Sequence, residues 1–121
     1  MDAYNDRATA KVAVTDFKGA VIDCTKAIEL TPHNPDGYNK RGIIESHCKD
    51  YDDAIDDFTE AIKLAPQNGI SYLNRGNAEY DSQDYTDCIG DFTKVVQLDP
   101  SDVYAFGRLT HAKKAMDGAD K

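Results

Sequence analysis

The chain repeats itself every 34 residues, and that spacing constrains its fold more than any single residue does. Pro32, Pro66 and Pro100 fall at one phase, each closing a Leu-x-Pro segment. Tyr4, Tyr38 and Tyr72 recur in step, as do Arg7, Arg41 and Arg75, then Asp16, Asp50 and Asp84, and then Thr25, Thr59 and Thr93. A unit of this length cannot bury its apolar face alone, so such units stack on their neighbours. At 121 residues the chain has room for three of them and a remainder.

Inside each unit the apolar period is helical, and breakers divide it in two. In the middle unit Asn34 is placed to cap a first helix with Pro35 at its first position, where the missing N–H costs nothing. That helix should run from Pro35 to about His47. Asp50 offers a second cap, and Asp52 and Asp53 put negative charge on the next first turn, where the macrodipole favours it. Ala54, Ile55, Phe58, Ala61 and Ile62 then follow at helix-face spacing, and the helix ends near Leu64 ahead of Pro66. The neighbouring units follow the same grammar, with Asn68 or Ser101 as first cap and Asp16 or Asp84 as second. Small residues (Ala8, Gly42 and Gly76 on first helices; Ala20, Ala54 and Cys88 on second helices) mark where the two helices approach closely. After Pro100 the pattern begins again, and Val103, Phe106, Leu109, Ala112 and Met116 form one apolar stripe. The expected organisation is one domain, 1–121, with repeats at 1–34, 35–68 and 69–102, a capping helix at 103–116 and a frayed tail at 117–121.

The net charge of -8 argues against nucleic acid, whose phosphates require clustered Lys and Arg. No apolar run approaches the roughly 20 residues that span a bilayer, and the first residues resemble no signal peptide, so a cytoplasmic chain without membrane contact is expected. Cys24, Cys48 and Cys88 are odd in number and lack metal-ligand spacing, so core filling is the expected role of Cys24 and Cys88. His33, His47 and His111 stand in different repeats with no partner for a catalytic dyad, and Asp50, Asp52, Asp53, Asp56 and Asp57 lack the glycine and glutamate of a calcium loop. No catalytic residue, metal or cofactor is expected.

These residues together resemble the tetratricopeptide repeat family. Tyr38, Gly42, Ala54, Phe58, Ala61 and Pro66 match its pattern in the middle repeat, and Tyr72, Gly76, Phe92 and Pro100 match in the third. The first repeat keeps Tyr4, Ala8, Ala20, Ala27 and Pro32 but has Cys24 where the family has an aromatic. The resemblance implies an all-α right-handed solenoid of three antiparallel helix-turn-helix hairpins with a C-terminal capping helix. Two departures recur. Arg7, Arg41 and Arg75 replace Leu, while Lys11, Glu45 and Glu79 replace Tyr. Arg41 with Glu45 and Arg75 with Glu79 lie four apart, worth about 0.2–0.5 kcal/mol per pair if exposed. Asp23, Asp57 and Asp91 recur on second helices and are expected to meet the arginines across a helix interface.

In this family the first helices line a groove that binds polypeptide, which implies a non-enzymatic interaction module. Carried over by position, the groove residues are Asn5, Thr9, Asn39, Lys40, Ile43, His47, Leu73, Asn74, Asn77, Tyr80, Arg108 and His111. The amides of Asn5, Asn39, Asn74 and Asn77 both donate and accept, which suits an extended main chain. The family's chaperone carboxylate clamp fits poorly: read from the first repeat its places fall on Asn5, Thr9, Lys40, Ile70 and Asn74, none of which agrees, and one repeat later on Asn39, Ile43, Asn74, Tyr104 and Arg108, of which only Asn74 and Arg108 agree. The alternative is a self-associating array, or a fragment of a longer or engineered one, joined through the uncapped first helix at Tyr4, Ala8, Val12 and Val14.

Overall fold

The computed structural model describes residues 17–119, which form six α-helices and, among the described residues, no strand. The chain falls into two compact units, the first ending at Pro66 and the second beginning at Gln67. The first contains α1 (Phe17–Leu30), α2 (Pro35–His47) and α3 (Tyr51–Leu64), with α2 packed on both α1 and α3. The second contains α4 (Gly69–Asp81), α5 (Tyr85–Leu98) and α6 (Val103–Ala119), with α5 packed on both α4 and α6.

Helix starts follow the expected chemistry with two exceptions. Asn34 accepts from the Asp36 N–H at 2.9 Å, Asn68 from Ile70 at 3.1 Å and Asp84 from Asp87 at 3.3 Å. Asp50 holds the cap position of α3 without a side-chain cap bond. At α6 the cap is Asp102, not Ser101, because its Oδ1 accepts from the Ala105 N–H at 3.0 Å. This helix also continues to Ala119, past the expected end of the cap at 116. Asp16 lies outside the described residues.

The turns inside the two hairpins are alike. The Asp50 N–H donates to the Glu45 carbonyl at 2.8 Å and the Lys49 N–H to Ser46 at 3.0 Å. Asp84 to Glu79 and Gln83 to Tyr80 repeat this at 2.8 and 3.0 Å. These are Schellman closures, which need a left-handed residue after the helix. Lys49 (φ 65°) and Gln83 (φ 69°) adopt that conformation without being glycine.

Packing explains the small residues differently from the expectation of backbone-to-backbone contact. A Cβ on Gly42 would stand 2.6 Å from the Phe58 ring, and one on Gly76 2.7 Å from the Phe92 ring. Each glycine therefore admits the aromatic of its own hairpin. Phe58 and Phe92 are fully buried, as are Ala20, Ala54, Cys24 and Cys88. Burial pushes both of these thiols up to about 11, consistent with cysteine acting as a small hydrophobe. On α6 the buried residues are Ala105, Leu109 and Ala112, whereas Val103 and Phe106 face outward. The expected stripe is thus rotated by about one position, with Ala105 taking the place of Val103 and Phe106.

Candidate functional site

The recurrent arginines are consumed inside their hairpins. Arg41 on α2 donates from Nε and Nη2 to the two oxygens of Asp57 on α3, at 2.8 and 2.7 Å. Arg75 on α4 grips Asp91 on α5 in the same way, at 2.8 and 2.7 Å. These bidentate pairs realise the expected meeting of Arg and Asp across a helix interface. Each guanidinium also lies over the tyrosine one turn earlier, 5.7 Å from Tyr38 for Arg41 and 5.9 Å from Tyr72 for Arg75. For the first repeat, Arg7 lies outside the described residues.

Glu45 and Glu79 complete each lock. Both are buried, so they are not surface ion-pair partners; the Arg75 Nε to Glu79 Oε2 distance is 4.0 Å. Burial, followed by hydrogen bonding to Asp57, raises the Glu45 carboxyl to about 9. Glu79 is raised to about 9 by burial and by its bond to Asp91. Burial and the adjacent aspartate favour the protonated form of each glutamic acid, which can then donate to that aspartate, while its Oε1 stays buried without a partner among the described residues. A guanidinium, a carboxylate and a carboxylic acid then sit together without excess charge, which reduces the penalty of burying ions.

Arg108 is different. It sits on α6, where its Nε donates to Asn77 Oδ1 at 2.9 Å, and its guanidinium lies 4.5 Å from the Tyr80 ring and 5.5 Å from that of Phe92. No carboxylate among the described residues pairs with it. Leu73, Asn77 and Tyr80 recur along one side of α4, and both Leu73 and Tyr80 pack on the core of Cys88, Phe92, Leu109 and Ala112. Beside them the Asn74 Nδ2 is buried and finds no acceptor among the described residues. The structure thus brings Asn77, Tyr80 and Arg108 into contact. His111 is exposed on the same helix as Arg108.

In the first unit Asn39 is buried, Lys40 is half-buried, and Ile43 and His47 are exposed on α2. Asn5, Thr9 and the expected self-association edge at Tyr4, Ala8, Val12 and Val14 lie outside the described residues. Among the described residues no helix is long and apolar enough to cross a membrane. Nor do the described residues hold a cluster of three or more His, Cys, Asp or Glu placed for a metal ion.

Solved structures with this architecture include the first TPR of Spaghetti (RPAP3) bound to the HSP90 peptide SRMEEVD. It superposes with a TM-score of 0.86 at 21% identity, over 94% of this chain and 90% of that one. The second TPR domain of human RPAP3, in complex with the HSP70 peptide SGPTIEEVD, gives 0.83 at 22% identity over 92% of each chain. The Sgt2 TPR domain from Aspergillus fumigatus gives 0.89 at 20% identity, over 98% of this chain and 80% of that one. Residues 35–68 match the family model for the tetratricopeptide repeat. By its fold the chain is similar to these tetratricopeptide repeat domains, and residues 35–68 match the repeat itself. A search of the curated proteins finds no match. The matched tetratricopeptide repeat, residues 35–68, holds the first lock whole, since Arg41, Glu45 and Asp57 all fall inside it.

One feature was not legible in the spacing. Nothing in the spacing of Glu45 and Glu79 announces a retained proton, which depends on burial against an aspartate 12 residues later.

Proposed function

We propose that the chain is a non-enzymatic protein-interaction module that holds an extended segment of a partner polypeptide on its first-helix faces. The observation that carries this is the side of the second unit formed by α4 and α6. It presents a cation unmatched by any carboxylate among the described residues, on a chain of net charge -8. A ligand carboxylate or carbonyl would meet that guanidinium with a charge-assisted hydrogen bond. Leu73 and Tyr80 supply the apolar surface beside them. On the first unit the corresponding contacts are Asn39, Lys40, Ile43 and His47.

The peptides in the two RPAP3 complexes end in EEVD. For this chain we favour a different polypeptide ligand, because Ile43 and Tyr104 stand where the chaperone clamp has Asn and Lys. A peptide array followed by chemical-shift mapping tests the reading. The strongest hits should move signals of α2, α4 and α6, and Asn74→Ala with Arg108→Ala should weaken them at least about tenfold, the equivalent of ~1.4 kcal/mol. Shifts confined to α3 and α5 would refute it, and binding of SRMEEVD as tight as the best hit would overturn the preference against the clamp.

A further inference from the structure

The asparagines that precede α2 and α4 are held alike and differ in the residue that follows. Asn34 precedes Pro35, and Asn68 precedes Gly69. Their backbones are close in geometry, with φ -94° and ψ 118° at Asn34 and φ -86° and ψ 103° at Asn68. Each side chain accepts from the N–H two residues on, at 2.9 and 3.1 Å. Proline suits the first position of a helix. Nothing in the packing asks for glycine there instead. Gly69 has no positive φ, and a Cβ on it would meet only Leu98 Cδ1, at an ordinary 3.8 Å.

The difference is chemical. The Cγ of an asparagine is open to attack by the backbone nitrogen of the next residue, provided that nitrogen carries a proton and is not crowded. Pro35 has no N–H, which closes the route at Asn34. Gly69 has one, brings no Cβ to hinder the approach, and at the first position of α4 does not commit its N–H to an intrahelical bond. The fold supplies a gate. With ψ at 103° the Gly69 nitrogen is turned away from the Asn68 side chain, whose Oδ1 is held by the Ile70 N–H. Attack therefore requires the first turn of α4 to open. Ile70 is 62% exposed, so little buried surface opposes that opening.

We propose that the Asn68–Gly69 bond is a site of spontaneous modification, at which the Gly69 nitrogen displaces ammonia from the Asn68 side chain and water then opens the ring. In the first step the N–Cγ bond forms and the Cγ–Nδ2 bond breaks. Nδ2 leaves as ammonia with the Gly69 amide proton, and a cyclic succinimide remains. Water, the sole co-reactant, then adds at one of its two carbonyl carbons. Addition at Cγ releases aspartate in an unchanged chain. Addition at the main-chain carbon releases isoaspartate, whose chain runs through Cβ and Cγ and is one methylene longer. The two products act oppositely on α4. Aspartate keeps the capping oxygen and adds negative charge where the macrodipole favours it. Isoaspartate converts the carbonyl that accepts the first helical bond into a free carboxylate, and its longer chain shifts the cap out of register.

Incubation of the full chain at mildly alkaline pH, followed by peptide mapping in a mass spectrometer and methyltransferase labelling of isoaspartate, provides the test. Conversion should appear at Asn68 in both acid forms and be absent at Asn34. Gly69→Pro, which copies the middle repeat and preserves the helix start, should abolish it while leaving thermal unfolding unchanged or raised. Gly69→Ala should slow it severalfold. Unfolding the chain in urea should speed it at least about tenfold, because the open turn is a minority form of the folded protein. Asn68 left intact in the folded chain, equal conversion in Gly69→Pro, aspartate formed without isoaspartate, or one rate for folded and unfolded chains would each overturn the proposal.

Discussion

The two complete hairpins and the lone helix α6 follow one sequence grammar, yet they part at the residues that meet a second helix. Where α2 and α4 have Arg41 and Arg75, α6 has Leu109; where they have Gly42 and Gly76, it has Thr110; where they have Glu45 and Glu79, it has Lys113. Phe106 takes the place of Tyr38 and Tyr72 and is 49% exposed. Among the described residues α6 has no second helix of its own to supply an aspartate or a phenylalanine. The lock is therefore a requirement of the hairpin and not of the first helix. An Arg–Glu pair on α6 would have no buried aspartate to complete it. Leu109 buries instead against α5, and the one guanidinium α6 keeps, Arg108, points to α4.

The largest test of this contrast compares two arginines in the same unit. Arg75→Leu strands Asp91 in the core and should cost about 3–5 kcal/mol in urea unfolding, because removing one partner leaves a buried charge uncompensated. Arg108→Leu loses one hydrogen bond to a neutral amide and the contacts with the Tyr80 and Phe92 rings, and should cost no more than about 2 kcal/mol. Equal losses would erase the distinction. A smaller contrast uses glycines. Gly76→Ala drives a methyl into the Phe92 ring and should destabilise by about 1–3 kcal/mol. Gly107→Ala on α6 meets nothing within 4 Å and should stabilise by about 0.5–1 kcal/mol, as alanine normally does in a helix.

The retained protons give the third and gentlest contrast. Glu45 and Glu79 hold their protons to about 9 when folded, against about 4.5 in the unfolded chain. Between those limits the native state binds more protons than the unfolded one, so stability falls as pH rises, by up to about 1.4 kcal/mol per pH unit for each group. The contribution is fully present below about 4.5 and gone above about 9. Thermal unfolding from pH 5.5 to 9 should show the decline, and Glu79→Gln, which keeps a donor without a titratable proton, should roughly halve it, since Glu45 still titrates. A Glu79→Gln variant with the parent pH slope would show that Glu79 is ionised in the lock.

Much of this architecture was legible in advance because its determinants are local or periodic. Asn34, Pro35 and Asn68 carry their meaning in the few residues around them, and the recurrence of Arg41 and Asp57 at matching phase identified a cross-helix pair. The turns were less readable, since Lys49 and Gln83 take a left-handed conformation that sequence usually announces with glycine. Ser101 and Asp102 compete for one cap, and the geometry of the chain after Pro100 decides in favour of Asp102. The orientation of α6 also escaped, because Val103, Phe106 and Ala105 all fit some helical stripe and only the neighbouring α5 chooses between them. On the donor face Asn77, Tyr80 and Arg108 were each foreseen by position. Their mutual contact was not, as it depends on side-chain reach between helices 31 residues apart in the chain.

Arg41 has one further bond. Its Nη1 donates at 3.1 Å to the hydroxyl of Thr25 on α1, which in turn donates to the Val21 carbonyl at 2.8 Å. A single guanidinium thus has attachments on three successive helices. Peeling α1 away removes an acceptor from inside a hairpin that is still closed, so opening at this end is felt by α2 and α3. Amide protons across all three helices should therefore exchange with solvent as one cooperative group, in place of the graded protection of independently fraying segments.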